Sequence, residues 1–143
     1  MQISARNRLS GKVLQCHTGA VNAEVEIDLG DNDRLVAIVT MDSLREMQLA
    51  AGVEVVALVK APWVMLMTGS DDFQLSARNQ LSGTVESIET GAVNAEVTLH
   101  LAGGAQLTAI VTREAVAELG LAPGKSATAL IKASHIILGR KKS

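Results

Sequence analysis

The 143-residue chain is predicted to be all-β with short helices, built as two tandem OB-like five-stranded barrels. Three observations predict this. First, the sequence repeats in register: Ser4-Ala5-Arg6-Asn7 returns as Ser76-Ala77-Arg78-Asn79, and residues 18–25 return unchanged as 90–97. Ala37-Ile38-Val39-Thr40 likewise returns at 109–112 and Lys60-Ala61 at 132–133, without insertion or deletion. Second, apolar residues in each copy alternate with the two-residue period of half-buried strands. Third, the order of strand, turn and helix signals is β-β-β-α-β-β in both copies, the order of a small five-stranded barrel.

Each element has a local reason. Residues 9–17 and 21–29 alternate as strands around a turn at Thr18-Gly19. Gly30-Asp31-Asn32-Asp33, and Ala102-Gly103-Gly104-Ala105 in the second copy, are hairpin turns into a third strand over 35–39 and its counterpart. Thr40 is a good N-cap for a helix over 41–49, and Thr112 for one over 113–119. Ala51-Gly52 and Pro123-Gly124 end that segment, and two strands over 53–61 and 63–67 close the unit. The expected division is a first domain at 1–68, a small polar linker at 69–74 and a second domain at 75–143. A unit of about 65 residues sits near the lower limit for folding alone, so association with further copies is expected.

Composition excludes several function classes. Thirteen Lys+Arg against 15 Asp+Glu give a net charge of −2, so no basic field gathers nucleic acid or anionic lipid. One Trp, one Phe and no Tyr leave little aromatic surface for stacking bases or sugars. No apolar run approaches the ~20 residues of a membrane helix, and the N-terminus carries no apolar signal segment. The one cysteine, Cys16, excludes an internal disulfide. A soluble cytoplasmic protein is expected, without nucleic-acid or membrane partners.

Catalysis has no support. His17, His100 and His135 face Glu89, Asp28 and Trp63 in the other copy, whereas a duplicated catalytic site would keep its histidine. Cys16, Met65 and Met67 read as core filler. What recurs is rich in donors: Ser4 and Arg6 (Ser76, Arg78) before the first strand, Thr40 (Thr112) at the helix cap, and Lys60 (Lys132) at the end of the fourth strand. Ser43 extends the set in the first copy, where the second has Ala115. The set contains no carboxylate and suits a small tetrahedral oxyanion. Taken singly, these residues also read as a strand-leading segment, a helix cap and a solvated lysine; their joint retention in two copies favours a shared site. Thr18-Gly19-Ala20-Val21-Asn22-Ala23-Glu24 is a second candidate. Positive φ at its glycine would let successive N–H groups form an anion nest, although a tight structural turn explains it as well. Glu24 counts against an anion there and could pair with a cation or lie in a subunit contact.

At these residues the chain resembles a known family. Ser-Ala-Arg-Asn-x-Leu-Ser-Gly, Thr-Gly-Ala-Val-Asn-Ala-Glu-Val, Ala-Ile-Val-Thr and Lys-Ala are similar to the Mop domain of molybdate-binding proteins, and two such units in tandem look like the di-Mop molbindins. The resemblance implies a homotrimer that holds molybdate or tungstate between units and serves cytoplasmic molybdenum storage. It implies one class of site at Ser4, Arg6, Thr40, Ser43, Lys60 and Ala61, with counterparts Ser76, Arg78, Thr112, Lys132 and Ala133. The Ser-Ala-Arg-Asn element and the Thr and Lys elements would come from different units. It implies a second class on the three-fold axis at Gly19, Ala20, Val21 and Asn22, and at Gly91, Ala92, Val93 and Asn94. No organic cofactor is implied. The rival reading is a regulatory or adaptor module that reports oxyanion occupancy to a protein partner.

Overall fold

In the computed structural model, which describes residues 1–69 and 73–142, each repeat builds a long antiparallel meander. Strand β1 (Asn7–Thr18) pairs with β2 (Asn22–Gly30), and β2 with β3 (Asp33–Thr40). Helix α1 (Met41–Glu46) follows, and β4 (Glu54–Val59) returns to pair with the other edge of β1. A 3-10 turn (Ala61–Trp63) then leads into the short β5 (Met65–Met67). The second repeat gives β6 (Asn79–Thr90), β7 (Asn94–Leu101), β8 (Gln106–Thr112), α2 (Arg113–Leu119), β9 (Ser126–Ile131), a 3-10 turn (Ala133–His135) and β10 (Ile137–Gly139). Ser70, Asp71 and Asp72 of the expected linker lie outside the described residues.

The result is two curled five-stranded sheets, each a half-barrel, ordered β10-β4-β1-β2-β3 and β5-β9-β6-β7-β8. The last strand of each sheet comes from the other repeat: Met65–Met67 pair with Leu130–Thr128, and Ile137–Gly139 with Leu58–Val56. The expectation that 63–67 closes its own unit is therefore corrected. In both repeats the fourth strand stops short at a 3-10 turn, with Pro62 in the first and Ser134 in the second, and the three-residue strand after that turn meets the edge of the other sheet. Helix α1 is also shorter than expected. It ends at Glu46, and Gln48 then takes a left-handed φ of 51° where Gly120 stands after α2.

Alternation places the core. Ala23, Val25 and Ile27 of β2 point inward between half-exposed neighbours, and Ala95, Val97 and Leu99 do the same in β7. Residues of both repeats, from Leu9 to Leu138, join one continuous apolar cluster. A register shift between Val13 and Gln15, matched between Val85 and Ser87, adds curl to each sheet. Two residues before that bend a glycine is obligatory: a Cβ on Gly83 would stand 2.7 Å from the His100 carbonyl oxygen. Among the described residues no helix is long and apolar enough to cross a membrane, and no group of three His, Cys, Asp or Glu could hold a metal ion.

Candidate functional site

The Ser-Ala-Arg segment and the Lys-Ala segment are brought together by the first ladder. Asn7 is paired with Val59 and Asn79 with Ile131, so Arg6 and Lys60, and Arg78 and Lys132, follow directly on neighbouring strand ends. In the second repeat Ser76, Arg78, Lys132 and Ala133 line one cleft of about 400 Å³. Ile38 and Met65 of the first repeat form its far wall. Met65, expected in the core, is 55% exposed there, because its strand lies on a sheet edge. Ser134 also lines this cleft. Repeat comparison alone passes over it, since its counterpart is Pro62.

The threonines stand elsewhere in their own repeats. Thr40 accepts a hydrogen bond from the Ser43 N–H at 3.0 Å and donates to the Ser43 hydroxyl at 3.0 Å. Thr112 accepts from the Ala115 N–H at 3.1 Å. Thr112 shares a surface depression with Ala92 and Val93, away from the lysine cleft of its own repeat. Thr40, however, ends the strand that carries Ile38 into the Lys132 cleft. The arrangement thus draws strand β3 of one repeat toward the Arg and Lys of the other.

The two Thr-Gly-Ala-Val-Asn turns are exposed, with Val21 and Val93 each 72% accessible. The expectation of positive φ at their glycines is corrected, since neither Gly19 nor Gly91 adopts it. Glycine is needed for closeness instead: a Cβ on Gly19 would approach the Asn22 carbonyl oxygen to 2.9 Å. The turn also uses its own donors. The Gly19 N–H bonds the Asn22 carbonyl at 2.9 Å, and the Met41 N–H at the helix start bonds the Val21 carbonyl at 2.8 Å. Gly91 and Arg113 repeat this with Asn94 and Val93 at 2.8 and 3.0 Å. The N–H groups of Ala20, Val21, Ala92 and Val93 lie on exposed residues.

Carboxylates enter the arginine site, which corrects the expectation of a set without them. Arg6 forks onto Glu96 at 2.5 and 3.1 Å, and Arg78 pairs with Glu24. These are reciprocal pairs, since Glu96 is the counterpart of Glu24, and each crosses from one repeat to the other. The Glu96 hydrogen bond raises the Arg6 pKa, and the same bond holds the Glu96 carboxyl below its ordinary value. Spacing within a strand could suggest that Glu24 seeks a cation. Only the crossed topology makes that cation Arg78. Away from the site, His17 bonds Glu26 at 2.9 Å, and Cys16 packs partly against the core, where burial raises its pKa.

A sequence model of the TOBE domain matches residues 3–66 and again 75–138. The chain is 49% identical over 138 residues to the molybdenum-pterin-binding protein MopA of Rhodobacter capsulatus, covering 96% of this chain and 52% of MopA. It is 45% identical over 138 residues to the molybdenum transport protein ModE of Azotobacter vinelandii, covering 96% of this chain and 51% of ModE. The chain therefore spans about half the length of these curated relatives. Among solved structures it is similar to the cytoplasmic molybdate-binding protein ModG crystallised with molybdate bound, at 64% identity and a TM-score of 0.95. That likeness covers 99% of this chain and 100% of ModG. With both repeats matched in succession, the chain belongs to the TOBE domain family as a tandem pair.

Proposed function

We propose that this protein binds molybdate reversibly in the cytoplasm, without catalysis, and serves as a molybdenum store. The carrying observation is the convergence of Ser76, Arg78, Lys132 and Ala133 on one cleft in a chain that matches ModG along its whole length. The first-class ligands in this reading are Ser4, Arg6, Lys60 and Ala61 with their counterparts, joined by Thr40, Ser43 and Thr112 from a neighbouring repeat or subunit. The exposed turns at Gly19–Asn22 and Gly91–Asn94 are the second class, completed where three copies of the chain meet. Their exposed valines favour burial against another copy.

Donor chemistry supports the choice of ion. Molybdate at neutral pH is a dianion that only accepts hydrogen bonds, and Arg, Lys and backbone N–H groups only donate. Partly protonated phosphate would leave its O–H facing donors, at a cost of about 1–3 kcal/mol per unpaired group. Sulfate carries the same charge on shorter bonds and is rejected by cavity size. Tungstate is nearly isosteric with molybdate and is bound alongside it. An adaptor role is the second reading, favoured by the 39% identity over 139 residues to the longer transcriptional regulator ModE of Yersinia pestis.

Equilibrium dialysis against molybdate, with excess sulfate and phosphate, tests the proposal. Saturable uptake of more than one ion per chain is expected. No uptake would leave a shared fold and overturn it. A pull-down partner that changes with molybdate would move the reading to the adaptor.

A further inference from the structure

We infer that Trp63 is a positioning residue for Lys60, and that it makes the proposed site at Lys60 a tighter binder than it would be with an unsupported lysine. The inference rests on the oxyanion reading above. Lys60 follows β4 and leads the 3-10 turn, and its Nζ lies 5.2 Å from the centroid of the Trp63 ring. A free lysine side chain has rotamer freedom, part of which is lost when its ammonium is fixed on an anion. Resting the ammonium on an aromatic face removes part of that cost before the ion arrives, and its N–H donors directed away from the ring stay open.

The ring is itself held. Pro62 stands in the first turn, and the Trp63 N–H donates to the Lys60 carbonyl at 3.0 Å. The indole lies against the His135 ring with centroids 4.7 Å apart and planes inclined by 36°. His135 is the repeat counterpart of Trp63, so the two lysine-bearing turns meet ring to ring. The second repeat lacks this support in kind: an imidazole replaces the indole and Ser134 replaces Pro62, adding a hydroxyl to the Lys132 cleft. The two lysine sites are therefore built on different principles, one with a pre-placed ammonium and one with an extra donor.

Binding of sodium molybdate by the 143-residue chain, followed by dialysis and by the emission of its one tryptophan, tests this. Loss of all binding in the unsubstituted protein would overturn the oxyanion reading, and this inference with it. If it binds, Trp63→Ala is expected to weaken the Lys60 sites by about 2–5-fold and leave the Lys132 sites, the range expected for an exposed cation–π contact. Trp63→Phe, which keeps a ring face, should recover most of that loss, and His135→Trp should tighten the Lys132 sites. Trp63 emission in the unsubstituted protein should change over the same molybdate range as uptake. Unchanged or tighter binding in Trp63→Ala, equal loss in the alanine and phenylalanine variants, or silent emission through saturation would each overturn the inference. Should Trp63→Ala fail to fold, the phenylalanine variant and the emission titration decide it.

Discussion

The side-chain amide of Asn79 acts as a strand for Val36: it accepts from the Val36 N–H at 2.7 Å and donates to the Val36 carbonyl at 2.8 Å. Asn7 does the same for Thr108, with both bonds at 2.7 Å. These asparagines are 1% and 2% exposed, and each carries the first strand of one repeat onto the third strand of the other. Backbone groups that would have been orphaned where the two sheets meet are satisfied by a side chain with matching donor and acceptor.

Asn79→Ala leaves the N–H and C=O of Val36 unpaired inside the protein. At about 1–3 kcal/mol for each buried group, the loss is expected to total roughly 2–5 kcal/mol. Asn79→Asp should cost a similar amount, since a carboxylate cannot donate to the carbonyl. Urea unfolding checks this, and a change within experimental error for Asn79→Ala would contradict the bridge.

The crossed strands tie the stability of one sheet to the other repeat. Leu138 is 7% exposed and belongs to the shared apolar cluster, yet its strand pairs with β4 of the first repeat. Leu138→Ala should cost about 2–5 kcal/mol. It should also shift one unfolding transition as a whole. Two separated transitions, with the first-repeat sheet unmoved, would show that the exchanged strand does not couple the halves.

How much of this was legible in the sequence follows from what each signal encodes. Periodicity and turn chemistry located β1 to β4 and both helix caps, because those are properties of neighbouring residues. They assigned the last short strand to its own unit, wrongly, because the two repeats offer similar edges and a three-residue strand has no register of its own. For the same reason Arg6 and Arg78 were recognised as recurring donors and Glu24 as a residue that could pair with a cation, while nothing in the sequence joined the one to the other. The repeat comparison found Lys60 and Lys132, which are the same in both copies. It could not find Trp63 and Ser134, whose contributions lie in the difference.

Acid should weaken the Arg6–Glu96 brace in a defined window. The hydrogen bond to Arg6 lowers the Glu96 pKa in the folded state from its ordinary 4.5. A lowered carboxylate stabilises the fold above the unfolded value and ceases to do so as pH falls through the folded one. Arg6 stays protonated throughout. The difference in Tm between the parent and Glu96→Gln should be steady above about pH 5 and shrink below pH 4.5. A gap that does not narrow in acid would mean that the loss in Glu96→Gln does not come from the charged pair.

Each helix starts on a threonine hydroxyl, so Thr112→Val should lose the cap on the Ala115 N–H and cost about 0.5–2 kcal/mol. Thr112→Ser should keep most of it. Thermal melts of the two variants separate the cap from the methyl group, and equal losses would remove the hydroxyl from the account.

Arg78 carries two roles that a single substitution confuses, as a brace to Glu24 across the repeats and as the proposed oxyanion donor in the Lys132 cleft. Arg78→Ala removes both. With charge-assisted hydrogen bonds contributing about 1.5–3 kcal/mol, molybdate affinity at that cleft should fall roughly 10- to 100-fold. Glu24→Gln removes the charge of the brace and keeps the guanidinium. It also removes a carboxylate whose field opposes a dianion, so affinity should hold or rise while stability falls slightly. Calorimetric titration with molybdate beside a thermal melt resolves the two effects. If Glu24→Gln lost affinity as heavily as Arg78→Ala, the carboxylate would be orienting the arginine for the ion rather than competing with it, and the cleft would need both partners in place to bind.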